Sequence, residues 1–166
     1  MPDLHSVRVA GDHLVFCAGH FITYAGGCEA LHGHNYRATV EVWGPLDPAD
    51  GYVFDFVALT DRAKELVAEW GHKMLVPLRN PLLPVEADAR RVRVTYGDRE
   101  WVFPRGDCVL LPIANTTAEL LAGHLADRLL AVLSERHRFR PTAIRVGVEE
   151  NVGQSAVVTR NLSASG

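Results

Sequence analysis

The spacing of apolar residues changes from two to a helical period and back to two along this chain, and that pattern limits the fold more than any other feature. Near the start, Leu14, Phe16, Ala18 and His20 share one side of an alternating run. Together with an earlier run through Val9, this predicts a strand or a bent strand pair. The same alternation predicts three further strands, over residues 34–43, 142–150 and 155–159. Strands that follow one another in the sequence are expected to pair antiparallel.

Two helices are predicted between these strands. The first covers residues 56–70, where apolar residues recur every three or four positions, and Asp55 precedes it as a plausible N-cap. The second begins where Thr116 and Glu119 fit a capping box, and leucines at helical spacing follow.

The segment between the helices, about residues 80–112, is predicted to be an insertion. Two short alternating runs within it, over residues 91–96 and 100–103, predict a small hairpin. A chain of 166 residues is long enough for one domain and short for two, so we expect a single domain over residues 1–166. The predicted fold is α+β: an antiparallel four-stranded sheet that carries two helices on one face.

Composition excludes several classes of protein. Seventeen Lys and Arg against twenty Asp and Glu give a net charge of −3, which disfavours a nucleic-acid-binding protein. No apolar run approaches the roughly 20 residues that cross a bilayer, and charged residues scattered near the start argue against a signal peptide. Three cysteines without a C-x-x-C pair are typical of a reducing compartment. We therefore expect a cytoplasmic protein with no nucleic-acid or membrane partner.

Three histidines form the strongest candidate site. His32 and His34 flank Gly33 just before the second predicted strand, so their imidazoles face the same way in extended backbone. His20 ends the first strand on the corresponding apolar side. Three neutral imidazoles that leave a fourth position open make a catalytic zinc site, and this spacing alone does not separate it from a carbonic-anhydrase-like site.

Cys28 is the second informative residue. It lies in a glycine-rich loop four residues before His32. A thiol near zinc is more readily ionised and can then act as a base or nucleophile. The other two cysteines, Cys17 and Cys108, are expected to be buried structural residues.

At this point the sequence resembles the 6-pyruvoyl-tetrahydropterin and 6-carboxy-tetrahydropterin synthase family. The resemblance covers about residues 5–160 and depends on an ordered set of motifs. In chain order these are Phe16-x-x-x-His20, Cys28-x-x-x-His32-Gly33-His34-Asn35-Tyr36, Val53-Phe54-Asp55-Phe56, His72-x-x-Leu75, Asn115-x-Thr117-x-Glu119 and Val146-x-Val148-x-Glu150.

The resemblance implies a tunnelling (T-) fold that assembles into homohexamers with active sites between subunits. It implies a zinc-dependent lyase that converts dihydroneopterin triphosphate to 6-carboxy- or 6-pyruvoyl-tetrahydropterin with loss of triphosphate, as in queuosine or folate biosynthesis. It also assigns roles to residues. The implied zinc ligands are His20, His32 and His34; the implied base is Cys28 with His72 as its catalytic partner; and the implied substrate-binding residues are Glu150, which anchors the pterin ring, and Thr117.

Three departures from the family pattern leave more than one function open. Gly71 stands where the family has an Asp that orients the catalytic histidine, and Asn151 replaces a Thr after the anchoring glutamate. Glu29 directly follows Cys28, as in a variant branch that releases 6-hydroxymethyl-dihydropterin for folate synthesis, although it also fits a solvated loop. A zinc hydrolase or hydratase and a non-catalytic pterin-binding oligomer are also compatible with these residues. The arginines of the insertion could neutralise a triphosphate or form a solvated face.

Overall fold

The computed structural model describes residues 3–162, and its helices in that range are α1 (Phe56–Ala68) and α2 (Ala118–His137). The strands are, in chain order, β1 (His5–Val9), β2 (Val15–His20), β3 (Thr23–Tyr24), β4 (Gly27–Cys28), β5 (His32–Gly44), β6 (Lys73–Pro77), β7 (Val85–Ala87), β8 (Arg91–Tyr96), β9 (Arg99–Pro104), β10 (Cys108–Leu111), β11 (Ala143–Asn151) and β12 (Gln154–Asn161). Two short 3₁₀ turns cover Asp12–Leu14 and Arg105–Asp107.

The main sheet of the described region has seven strands, in the order β10–β6–β2–β5–β11–β12 with β1 paired to β5. The long strand β5 pairs antiparallel with β2 along its first half and with β1 along its second half. On its other edge, β5 pairs antiparallel with β11, which in turn pairs antiparallel with β12. The predicted bent strand pair and antiparallel order are therefore confirmed.

The predicted four-stranded sheet is too small, because β6 and β10 extend it. Both strands join in parallel, β6 beside β2 and β10 beside β6. The end of β6, from Leu75 to Pro77, is a continuous buried run. A strand covered on both faces shows no alternation between polar and apolar residues, so periodicity did not reveal it.

Both helices contribute to one apolar core with the main sheet, as the α+β prediction requires. The side chain of Asp55 accepts a hydrogen bond from the backbone N–H of Ala58 at 2.6 Å, which confirms the first N-cap. The second N-cap is Thr117 and not Thr116; the fully buried Thr116 donates from Oγ1 to the carbonyl oxygen of Phe21. Phe56, the first apolar residue of this helix, is exposed, so the apolar spacing predicted for residues 56–70 does not mark a buried side chain at that position.

Strands β7, β8 and β9 of the insertion form a separate three-stranded sheet in place of the predicted two-stranded hairpin, whereas β10, at the end of the predicted insertion, belongs to the main sheet. A second apolar cluster, which includes Phe21, Val76, Leu83 and Val94, packs it against the main body. The insertion thus contacts the loop that follows β2, where the candidate site begins.

No helix within residues 3–162 is both long and apolar enough to cross a membrane.

Candidate active site

The pairing register of β2 with β5 brings three histidines together. His20 lies opposite His32, and His34 lies opposite Ala18 on the same face of the sheet. One imidazole nitrogen from each of the three rings lies within 4.8 Å of the other two. His20 is fully buried, and the other two histidines are half-buried. The cluster therefore lies at the edge of the core, where one side remains open.

Backbone carbonyl oxygens orient two of these imidazoles. Nδ1 of His20 lies 3.0 Å from the carbonyl oxygen of Thr116, and Nδ1 of His32 lies 2.8 Å from that of Ala30. Burial lowers the pKa of His20 from 6.5 to about 4; the Thr116 contact opposes this effect, and the two neighbouring imidazoles add to it. His20 is therefore neutral at neutral pH.

A cation fits between the Nε2 atoms of His20 and His32, which are 3.1 Å apart. Because a carbonyl oxygen can only accept a hydrogen bond, each neutral ring carries its proton on Nδ1 and presents a lone pair at Nε2. Two lone pairs that face each other at this distance repel, whereas a shared metal ion would turn both into ligands. Carbonyl contacts of this kind typically orient ligating histidines, and three imidazoles suit zinc. The cluster can therefore hold a metal ion.

Gly33 allows the two histidine-bearing strands to approach closely. A Cβ atom at Gly33 would lie 2.9 Å from the carbonyl oxygen of Ala18, which cannot move without shifting β2. A Cβ atom at Gly19 would instead meet the sulfur of Met74 at 2.5 Å, the movable end of a flexible side chain. Only the first position demands glycine for the close contact between backbones.

Glu150 lies at a β-bulge on the side of the cluster. The register between β11 and β12 shifts between Glu149 and Asn151, and a bulge of this kind re-aims the side chain that it contains. The Oε1 atom of Glu150 is buried and has no hydrogen-bond partner among the described residues. Burial raises the pKa of this carboxyl group, and the nearby His34 opposes that effect. Glu150 and Thr117 line one cavity of about 350 Å³, so the carboxyl group that has the unpaired oxygen borders a space for a ligand.

Cys28 lies at the end of β4, in a loop that the insertion holds in place. Arg99, the first residue of β9, donates from Nη2 to the carbonyl oxygen of Cys28 at 2.7 Å. The hydroxyl of Tyr96 donates to the carbonyl oxygen of Gly26 at 2.7 Å. Burial raises the pKa of the Cys28 thiol, and the Arg99 guanidinium lowers it. Loop position and thiol ionisation therefore both depend on the insertion.

Glu29 has a carboxylate oxygen close to the histidine cluster. Its Oε2 atom lies 4.0 Å from Nε2 of His32, the nitrogen that faces His20. The thiol of Cys28 donates to the backbone carbonyl of Glu29 at 3.4 Å. Two adjacent residues thus offer a thiol and a carboxylate near the candidate metal position.

His72 lies on the other face of the main sheet. Its Nδ1 atom is 3.1 Å from Sγ of Cys17. Side chains alternate along a strand, so Cys17 points away from the face that carries Ala18 and His20. The structure therefore brings His20, His32 and His34 together within one chain, and it places His72 on the opposite side.

Known proteins match both the sequence and the fold. The sequence matches the family described as 6-pyruvoyl tetrahydropterin synthase over residues 12–161. A Methanocaldococcus jannaschii protein named as a 6-carboxy-5,6,7,8-tetrahydropterin synthase is 30% identical over 96% of this chain and 94% of its own length. The Plasmodium falciparum 6-pyruvoyl tetrahydropterin synthase structure is 29% identical with a TM-score of 0.88, over 96% of this chain and 99% of that one. A Plasmodium vivax 6-pyruvoyltetrahydropterin synthase, solved with a catalytic glutamate changed to alanine, has 27% identity and a TM-score of 0.88 over the same shares.

The chain belongs to the 6-pyruvoyl tetrahydropterin synthase family. Its structural neighbours confirm the tunnelling fold expected from the resemblance. Its function is therefore of the tetrahydropterin synthase type, a lyase-type activity on a small pterin substrate.

Two contacts of this family member were not predicted from sequence. Both Cys17 and Cys108 are predicted to be buried structural residues. Cys108 is buried, whereas Cys17 is only half-buried and contacts His72, so the prediction is wrong for Cys17. Cys17 and His20 are an odd number of positions apart in a strand whose side chains alternate between faces. This alternation could have predicted that the side chain of Cys17 lies on the face opposite to the core. No local pattern indicates Arg99, because its partner Cys28 lies 71 residues away in the sequence.

The arginines of the insertion include one that is already paired. Arg93 lies 2.7 Å from a carboxylate oxygen of Glu100 and 3.3 Å from one of Glu86. These partners neutralise its charge within the inserted sheet, which favours the solvated-face interpretation at this position.

Proposed function

We propose that this protein is a zinc-dependent enzyme that converts dihydroneopterin triphosphate to 6-carboxy- or 6-pyruvoyl-tetrahydropterin with loss of triphosphate. The observation that carries the proposal is the buried, unpaired carboxylate oxygen of Glu150, a residue close enough to His34 to interact with it electrostatically, next to three histidines that can hold a metal ion. A pterin ring presents an N–H group and an exocyclic amine side by side, and one carboxylate can accept a hydrogen bond from each.

The histidines would hold zinc next to the side chain of the anchored pterin. When bound, zinc supplies Lewis acidity that makes the C–H bonds next to the substrate oxygens more acidic. His20 is suited to this role because it is neutral, buried and fixed by the Thr116 carbonyl. Glu150 would fix the other end of the substrate, so that the side chain reaches the loop of Cys28.

Cys28 would remove the proton from the activated carbon. Because burial raises the pKa of this thiol, positive charge nearby must favour the thiolate. The guanidinium of Arg99 provides part of that charge within the chain. Cys28 is thus proposed as the base and Arg99 as a residue that supports its ionised form.

His72 would act with Cys28 of another copy of the chain. The position of His72 on the opposite sheet face supports an active site between subunits, as in the homohexamer that the family resemblance implies. Subunit complementation tests this arrangement. If Cys28→Ala and His72→Ala are each inactive, oligomers assembled from both variants should regain activity, because some sites then combine two intact residues. No recovery in confirmed mixed oligomers would contradict a shared site.

A second candidate product is 6-hydroxymethyl-dihydropterin. The observation that favours it is the carboxylate of Glu29, 4.0 Å from Nε2 of His32 and thus able to reach a substrate held at the metal. The catalytic glutamate of the Plasmodium vivax relative adds support for carboxylate chemistry in this family. In this case Glu29→Gln should lose the hydroxymethyl product specifically.

The decisive experiment incubates zinc-loaded protein with dihydroneopterin triphosphate and identifies the pterin product by chromatography and mass spectrometry. Glu150→Gln should weaken substrate binding, whereas its neighbour Glu149→Gln should not. Complete absence of turnover with zinc bound would refute the enzymatic proposal, and tight pterin binding without product would identify a binding protein. Retained activity in Cys28→Ala would favour a zinc hydrolase or hydratase.

A further inference from the structure

Two contacts with one cysteine fix the position of His72. Its backbone N–H donates to the carbonyl oxygen of Cys17 at 2.7 Å, and its Nδ1 atom lies 3.1 Å from Sγ of the same residue. The sulfur is farther from Nε2, at 4.0 Å. His72 also has a φ of 58°, an uncommon left-handed conformation for a residue with a side chain. Backbone and ring are therefore both held against Cys17.

This contact occurs where an acidic partner for His72 is missing. Gly71 precedes the histidine and has no side chain that could orient the ring. Asp107 lines the same cavity of about 640 Å³ as Cys17 and His72, yet it makes no hydrogen bond to the ring in the described structure. Among residues 3–162, Cys17 is the residue whose side chain hydrogen bonds to this imidazole.

A thiol and a carboxylate impose opposite proton positions on an imidazole. A carboxylate only accepts, so it requires the proton on the nitrogen that it contacts. A neutral thiol is a weak donor and a weak acceptor, but an unprotonated imidazole nitrogen accepts far better than a thiol sulfur does, so donation from S–H to the ring is favoured. The favoured arrangement here is therefore S–H of Cys17 donating to Nδ1, with the ring proton on Nε2.

We propose that Cys17 is a positioning residue that holds His72 as the Nε2–H tautomer, so that His72 presents a proton to the substrate instead of a lone pair. This inference rests on the proposed function for the identity of the substrate. In that reaction, Cys28 removes a proton from carbon, and the Nε2–H of His72 donates a hydrogen bond to the substrate oxygen on which negative charge then develops, so that the ring keeps its proton and stays neutral. A hydrogen-bond donor in this position complements the base on the other side of the shared site.

The tautomer can be measured without turnover. Long-range ¹H–¹⁵N spectra of histidine-labelled protein separate the two tautomers by their nitrogen shifts, and His72→Gln identifies the His72 signals by their loss. We expect the Nε2–H tautomer in the native chain and in Cys17→Ser, a mixture in Cys17→Ala, and the Nδ1–H tautomer in Cys17→Asp. Asp107→Asn, the matched control in the same cavity, should match the native spectrum. Identical His72 tautomers in the native, Cys17→Ala and Cys17→Asp proteins would overturn the proposal.

Kinetics provide the second measurement. Cys17→Asp should lower kcat by roughly tenfold or more, within the usual contribution of one hydrogen-bond donor to a developing oxyanion, and leave KM unchanged. Cys17→Ala should lower kcat less, because part of its His72 population keeps the proton on Nε2. Cys17→Ser should restore most of the loss because its hydroxyl can donate to Nδ1. Equal kcat in the native and Cys17→Asp enzymes would overturn the role of Cys17, whereas an inactive native enzyme with the expected tautomers would overturn the proposed function instead.

Discussion

Acidification should destabilise the metal-free protein through His20. The pKa of this imidazole is lowered by burial from 6.5 to about 4, so between these values the unfolded chain binds a proton that the folded chain does not. The free energy of unfolding that the neutral, buried His20 contributes is therefore fully present above pH 6.5 and is lost as the pH falls toward 4. Since each tenfold change in proton affinity corresponds to about 1.4 kcal/mol, the loss attributable to His20 is about 3 kcal/mol.

The effect can be isolated with His20→Asn. The asparagine amide can still donate to the carbonyl of Thr116, but it does not titrate. Urea unfolding with a chelator present, at one protein concentration and at several pH values from about 4 to 8, should give a flatter dependence of stability on pH for this variant, by about 3 kcal/mol. His13→Gln, which removes an exposed histidine, should follow the native curve. Parallel curves for the native protein and His20→Asn would refute the reasoning.

Three further predictions test the architecture around the site. Gly33→Ala should lower the free energy of unfolding in urea by roughly 1–3 kcal/mol, because the new methyl group separates the two histidine-bearing strands. For the same reason it should weaken zinc binding in a chelator competition assay. Gly19→Ala should have the smaller effect, and equal effects would contradict this reasoning. Arg99→Gln should raise the pKa of Cys28, so iodoacetamide should modify that residue more slowly at pH 8, as followed by peptide mass spectrometry; an unchanged rate would rule out the guanidinium effect. Asp55→Ala should reduce the unfolding free energy by about 1 kcal/mol through loss of the N-cap of α1, whereas no change would mean that the cap contributes little.

Much of the fold could be predicted because the backbone period fixes side-chain direction locally. Alternation located the central antiparallel strands, and helical spacing located both helices, including the N-cap at Asp55. The same parity argument predicted that His32 and His34 face one way. Local patterns failed in β6, where burial removed the contrast between polar and apolar positions. They also failed at the start of α2, where the adjacent residues Thr116 and Thr117 were equally good candidates for the N-cap.

By itself, the sequence determined which residues are the candidates for the chemistry: three imidazoles, a loop thiol and a strand-end carboxylate, in the order typical of one family. Only the tertiary structure decided how they meet. It set the register that pairs His20 with His32, the bulge at Glu150, and the contact of His72 with Cys17 on the opposite sheet face. Side-chain direction follows from the backbone of a few neighbouring residues. Register, bulges and contacts between distant segments depend on packing across the whole chain, as the contact of His20 with Thr116, 96 positions further along the sequence, illustrates.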